Sequence, residues 1–183
     1  MSTTVIDNTE WAERLRSFKR SAFRLELQPR YLEPEETETV ARFVDGNPQD
    51  PTEVPMLRTW FNQIRSLTDR GRTVERVRVQ DDPPTDYQLW ERFISPWNIA
   101  AGETLRYLDR QLAHEIGLLP DAGPGDFWLF DDTTLMRMHF DDEGRRIRNE
   151  IITDKTLVEQ AISWRDLAVR NGVLDNPQDA VTA

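Results

Sequence analysis

The run "DFWLFDDTTLMRMHFDDEGRRIRNEII", residues 126–152, constrains the fold more than any other part of the chain. It divides into three short segments, "DFWLF", "TTLMRMHF" and "RIRNEII", separated by acid-rich or glycine-containing turns. Segments this short with turn residues between them predict an antiparallel meander. A meander needs a covering layer over its apolar side, so the rest of the chain has to supply helices.

The sequence ahead of the run supplies them, interleaved with further strands. "DNTEWAERLRSFKR" offers Asp7 or Asn8 as an N-cap, with Trp11, Leu15 and Phe18 at helical spacing, which predicts a helix over residues 8–20. "SAFRLELQ" then alternates Phe23, Leu25 and Leu27 with Arg24 and Glu26, the period-two pattern of a half-buried strand. "EPEETETVARFVDG" predicts a short helix ending at Gly46, and "NPQDPTEVP" a connecting loop. "PMLRTWFNQIRSLTDRG" opens on a proline, stops at Gly71 and places Leu57, Trp60, Phe61, Ile64 and Leu67 on one stripe, making it the clearest amphipathic helix. "RTVERVRVQ" is a second strand, with Val77 and Val79 on one face and Arg76 and Arg78 on the other. Pro83, Pro84 and Pro96 divide the next stretch into helices over 86–94 and 99–116, and "TDKTLVEQAISWRDLAVRNG" is a closing helix capped by Thr153 or Asp154. The expected architecture is a single domain over 1–183, with a core over about 8–172 and a frayed tail over 173–183. Its class is α/β, bordering on α+β, with a mixed sheet of about five strands and helices on its faces.

The acids of the opening run look like a metal site until strand length is considered. With Asp131 and Asp132 as a two-residue hairpin turn, the strand to Phe140 puts the second acid cluster roughly 25 Å away at about 3.3 Å per residue. One ion cannot be held by both, and no metal site is expected. The same register sets Asp126 across from Arg137, gathers Phe127, Leu129, Met136, Met138 and Phe140 on a core face, and leaves Trp128, Leu135, Arg137 and His139 on the other. His139 and His114, the chain's only histidines, stand apart from any partner set and read as structural or solvated groups.

Two other groupings carry more chemistry. Arg24 and Glu26 on one strand and Arg76 and Arg78 on another form a single charged layer if the two strands are neighbours. Such a layer either lines a pocket or makes a salt-bridged face beneath a helix. "PPTDYQLWE" adds Asp86, Tyr87, Trp90 and Glu91 just past a strand end, where open α/β sheets hold ligands, although an N-cap Asp86 before an ordinary amphipathic helix accounts for the same residues. Arg24, Glu26, Arg76, Arg78, Asp86, Tyr87 and Glu91 are therefore the candidate ligand-binding residues, with no catalytic residue and no cofactor assigned.

The chain carries 23 Lys and Arg against 33 Asp and Glu, a net charge of -10, which opposes direct nucleic-acid or anionic-membrane binding and favours a basic protein partner. Without cysteine there is no disulfide, thiolate metal site or Cys nucleophile, and the absence of an apolar run of membrane length leads to a cytoplasmic expectation. Phosphate-binding glycine loops, nucleophile elbows and dinucleotide fingerprints are absent.

Taken together and in order, "RLELQPRY", "RVRVQDDPPTDYQLWE", "NIAAGETLRYL" and "DFWLFDDTTLMRMHFDDEG" resemble an uncharacterised family of small actinobacterial proteins, of the Streptomyces type, encoded beside helix-turn-helix regulators. That resemblance implies a non-catalytic interaction or ligand-sensing protein working with such a regulator. The alternative is a small-molecule enzyme built on the Arg, Glu, Asp and Tyr pocket. The ending, three strands followed by a helix bearing "SWRDLA", is also similar to the close of phospholipase-D-like domains, which attack phosphodiesters with a paired His-x-Lys motif. Here His139 is followed by "FDD" and His114 by "EIG", so the similarity implies the scaffold without that equipment.

Overall fold

The computed structural model describes residues 3–176 and holds one sheet between two helical layers. In chain order the elements are β1 (Thr3–Ile6), α1 (Asn8–Ser17), β2 (Ser21–Glu26), α2 (Thr37–Val44), α3 (Pro55–Thr68), β3 (Thr73–Gln80) and α4 (Asp86–Ala100). They continue with β4 (Thr104–Asp109), α5 (Arg110–Glu115), β5 (Asp126–Phe130), β6 (Thr134–Phe140), β7 (Arg146–Ile152), α6 (Lys155–Asn171) and β8 (Val173–Leu174). The sheet runs β1-β7-β6-β5-β2-β3-β4-β8, so the described residues contain eight strands rather than the expected five. β2, β3 and β4 are parallel and the other pairings antiparallel.

Two successive crossovers, β2 to β3 and β3 to β4, step in the same direction. Crossovers of one hand stepping one way put their helices on one side of a sheet. α3 and α4 accordingly cover that side together with α1, burying Leu15, Phe18, Leu57, Phe61, Ile64, Trp90 and Ile94 against Ala22, Val74, Trp128 and Met136. α5 and α6 cover the other side, where Ala113, Val158, Ala161, Trp164 and Ala168 pack on Phe23, Leu25, Val77, Val79, Phe127 and Leu129. No described helix is long and apolar enough to cross a membrane.

Three expectations are corrected. The helix expected over 99–116 is a strand and a one-and-a-half-turn helix, and α4 runs through Pro96 without breaking. Its stop is Gly102, at φ 104, where Thr68 packs so closely that a Cβ would lie 2.6 Å from the Thr68 hydroxyl. The tail expected to fray from residue 173 first pairs Val173 and Leu174 with β4, and the rest of it, from residue 177, lies outside the described residues.

The third correction concerns the hairpin. Phe130 pairs with Thr134, so the connection is the three residues Asp131 to Thr133 and not two, with both aspartates in left-handed backbone at φ 55 and 57. The shape is set by the neighbouring chain: the Asp131 carboxylate accepts backbone N–H bonds from Lys19, Arg20 and Ser21 at 2.9, 2.6 and 3.1 Å, tying the α1–β2 turn to the hairpin. One extra residue slips the register by one, and a side-chain period of two turns one strand over. Asp126 therefore faces Met138 instead of Arg137, Trp128 lies with Met136 and Met138, and Phe127 and Leu129 lie with Leu135 and Arg137.

Candidate functional site

β2 and β3 pair in register, with Arg24 beside Arg76 and Glu26 beside Arg78. Alternation aims all four side chains at the α3 and α4 layer. Glu26, 4% exposed, accepts from Arg76 and Arg78 at 2.7 Å each and stands 3.3 Å from the Arg24 Nε. Arg76 also donates to Glu103 at 2.7 Å, and Arg78 donates to the Ser95 hydroxyl at 3.0 Å and the Glu91 carbonyl at 3.2 Å. Burial alone would raise the Glu26 carboxyl, but the three guanidinium groups outweigh it and hold it well below the usual carboxylate range. Arg24 rests near the Tyr31 and Trp128 rings at 5.5 and 5.6 Å, and Arg76 near Trp60 and Trp128 at 5.6 and 5.9 Å, so aromatic rings add to the carboxylates in holding these two arginines.

Asp126 anchors the edge of this network. Fully buried, it accepts from Tyr31 at 2.5 Å, from the Leu27 backbone at 2.9 Å and from Arg24 at 3.2 Å. It thereby ties β5 to the segment after β2, which delivers Tyr31, Glu33 and Glu36. Gly144 fixes that segment from the other side: Leu32 donates to its carbonyl at 2.9 Å, and a Cβ at Gly144 would lie 2.5 Å from the Arg30 carbonyl.

α4 contributes through its first turns. Its N-cap is Thr85, which shares a capping box with Gln88, so Asp86 is the first helical residue and not the cap. Tyr87, Trp90 and Glu91 then face the sheet, Tyr87 donating its hydroxyl to Glu36. Burial pushes Glu36 up to about 7, and burial also raises Glu91 although Arg78 draws it the other way.

Between these parts lies a cavity of about 300 Å³. Six of the seven candidate residues, Arg24, Glu26, Arg76, Arg78, Tyr87 and Glu91, line it; Asp86 is exposed and does not. The reading of the sequence missed Trp11, Tyr31, Glu36, Trp60, Trp128 and Arg146, which also line it. Arg146 comes from β7, lies over the Trp11 ring at 4.3 Å, and among the described residues finds only the Glu33 carboxylate, at 3.9 Å. Burial lowers the Arg146 guanidinium from its ordinary value. The one signal for Tyr31 is its place just beyond a strand end; nothing in the spacing marks Arg146 or Glu36. His139 lies elsewhere, 2.8 Å from Glu150. Among the described residues no three His, Asp or Glu side chains gather to hold a metal.

A family model described as a domain of unknown function, DUF6879, matches residues 9–175. The chain belongs to this family. No curated protein sequence matches this DUF6879 member. Its fold is similar to that of a phospholipase D family member, Nuc from Salmonella typhimurium, at 12% identity and a TM-score of 0.57, covering 96% of this chain and 98% of that one. NucT from Helicobacter pylori is similar at 11% identity and a TM-score of 0.54, with coverage of 95% and 98%. At such identities the likeness concerns the fold alone, an α/β scaffold that this chain shares with these two proteins.

Proposed function

We propose that this protein is a non-catalytic ligand-sensing protein that works with a basic, DNA-binding partner of the helix-turn-helix regulator type. The observation that carries the reading is a cavity of about 300 Å³ laid over a network of mutually paired charges. Glu26 is engaged by three arginines, which favour its ionised form and oppose its taking up a proton. Arg76 and Arg78 are likewise committed to Glu26, Glu103 and Glu91. Groups so committed hold a shape and a potential; they bind rather than transform. The acidic balance, a net charge of -10, suits a basic partner and opposes direct contact with nucleic acid. Phosphodiester cleavage is not carried over with the scaffold, since neither histidine stands two residues before a lysine.

The test is co-purification of the full chain with any helix-turn-helix regulator that its gene neighbourhood is found to encode, with and without a metabolite extract. A complex at micromolar concentration whose stability changes with the extract is the expected result. No complex under either condition sinks the partner half of the reading.

A second reading, an enzyme of small molecules, draws on one observation. Glu36 is raised to about 7 and hydrogen-bonded by Tyr87, a pairing suited to general acid chemistry. Consumption of a bound compound by the wild type but not by Glu36→Gln decides in its favour.

A further inference from the structure

Setting aside Glu33 and Glu35, the more exposed of its lining carboxylates, the charges of the cavity can be matched partner by partner, and two are left over. Arg24 holds Asp126 and Glu26, Arg76 holds Glu26 and Glu103, and Arg78 holds Glu26 and Glu91. The Arg146 side chain, 14% exposed, makes no hydrogen bond among the described residues and has among them only the Glu33 carboxylate, at 3.9 Å. The Glu36 carboxyl makes no ion pair among the described residues and accepts only from Tyr87 among them. A guanidinium and a carboxyl held partly out of water without full partners are each costly, and the cost falls when a ligand answers them.

We propose that the cavity takes a small zwitterion of the α-amino acid class, its carboxylate on Arg146, its ammonium on Glu36 and its apolar body against the aromatic wall. The inference rests on the ligand-binding reading above and names the ligand's chemistry. An anion alone would leave Glu36 unanswered, and a cation alone would leave Arg146 unanswered. Stacking on Trp11 fixes the plane of the Arg146 guanidinium and leaves its edge free for the paired N–H bonds that a carboxylate accepts. The Tyr87 hydroxyl holds one oxygen of Glu36 and leaves the other for an ammonium donor. Trp11, Met56, Leu57 and Trp60 offer apolar surface on the same cavity, and about 300 Å³ accommodates one metabolite-sized molecule. The aromatic faces argue against a simple cation cage, because arginines already cover those of Trp11, Trp60 and Trp128.

The experiment is calorimetric titration of the full chain with free L-leucine, L-methionine, L-phenylalanine and L-tryptophan, followed by a broad metabolite library. For the tightest amino acid, the corresponding amine without the carboxylate and acid without the amine are titrated as well. At least one amino acid is expected to bind, with each singly charged analogue weaker by about tenfold or more. Arg146→Met should abolish the advantage of the zwitterion over the amine, and Glu36→Gln its advantage over the acid. Should Arg146→Met fail to fold by circular dichroism, Arg146→Lys keeps the charge without the paired geometry and is expected to weaken the zwitterion while leaving the amine unchanged. Equal affinity for zwitterion and either analogue, or zwitterion binding indifferent to both substitutions, overturns the proposal. Binding of a library compound with no amino acid bound overturns it while leaving the ligand-binding reading intact. No binding of any compound removes both.

Discussion

β2 and β3 carry two different interiors on their two sides. Toward α5 and α6 they present Phe23, Leu25, Val77 and Val79, all 3% exposed or less, packed by Phe127, Leu129 and the apolar stripe of α6. Toward α3 and α4 the alternate positions present Glu26, Arg76 and Arg78, nearly as well buried, and the half-buried Arg24, held by ion pairs and, for Arg24 and Arg76, by aromatic rings. Removal from water is the common factor; the energetic outcome is not. Burying an apolar side chain contributes about 1.5–3 kcal/mol, whereas a buried ion pair roughly offsets its own desolvation. On these two strands one face thus supplies stability, and the other gives most of its interior to a shaped, polarised cavity beside the apolar core that α1, α3 and α4 build.

The sharpest way to break the contrast is to remove the hub of the charged side. Glu26→Ala leaves three arginines facing one another in the interior and should cost about 3–5 kcal/mol in urea unfolding. Replacing the group together, Glu26→Leu with Arg76→Met and Arg78→Met, and with Glu91→Gln and Glu103→Gln so that no buried carboxylate loses its arginine, should recover that loss or exceed wild-type stability by about 1–4 kcal/mol. It should also abolish ligand binding. Instability of this combined variant comparable to Glu26→Ala would mean that the charges are needed for the fold itself. On the opposite side, one residue away, Leu25→Ala should cost about 2–5 kcal/mol through the cavity it opens, and no second substitution of charge should rescue it.

Acidity separates the two sides next, since only one of them titrates. Glu36 is raised from 4.5 to about 7, so its neutral form stabilises the fold fully below about pH 4.5. That contribution is lost as pH rises through about 7. Glu26 has the opposite sign: held below its ordinary value, it stabilises above the carboxylate range and ceases to do so on acidification. The urea midpoint should therefore fall between about pH 5 and pH 8, and Glu36→Gln should flatten that slope while leaving the acid limb in place. An unchanged slope in Glu36→Gln would place the titration elsewhere, with Glu91 the next group to replace.

The apolar side was the more legible of the two in the sequence. Period-two alternation in "SAFRLELQ" and "RTVERVRVQ" identifies both strands, and the same alternation exposes the four charges as one layer once the strands are paired. Capping and helical stripes locate α1, α3 and α6 by the same local logic. β4 was hidden because Leu105, Leu108 and Leu112 fall at helical spacing, and only the contact between Gly102 and Thr68 ends the helix before them. The hairpin register was hidden because Asp131 answers to the backbone of residues 19–21, over a hundred positions away. Arg146 and Glu36 were hidden for the same kind of reason. Their roles arise where β7, α1 and the segment after β2 meet, and no local pattern encodes a meeting of distant segments.

His139 gives the smallest effect and tests where the site is. It lies on the α5 and α6 side of the sheet edge, 30% exposed, with Glu150 as its hydrogen-bond partner and Arg148 competing for the same carboxylate at 3.2 Å. Partly exposed pairs of this kind contribute about 0–1 kcal/mol, so His139→Gln should move the urea midpoint barely at all and leave ligand binding untouched. Asp126, thirteen positions earlier in the same acid-rich run, differs because all of its oxygens are committed inside the fold, holding Arg24 and Tyr31 toward the cavity. A loss of ligand binding in His139→Gln, with the fold intact by circular dichroism, would reverse that ranking. The site would then be the second hollow, of about 260 Å³, which His139 lines with Gln28, Arg30 and Asp141, and the charged layer beneath α3 and α4 would be a structural face.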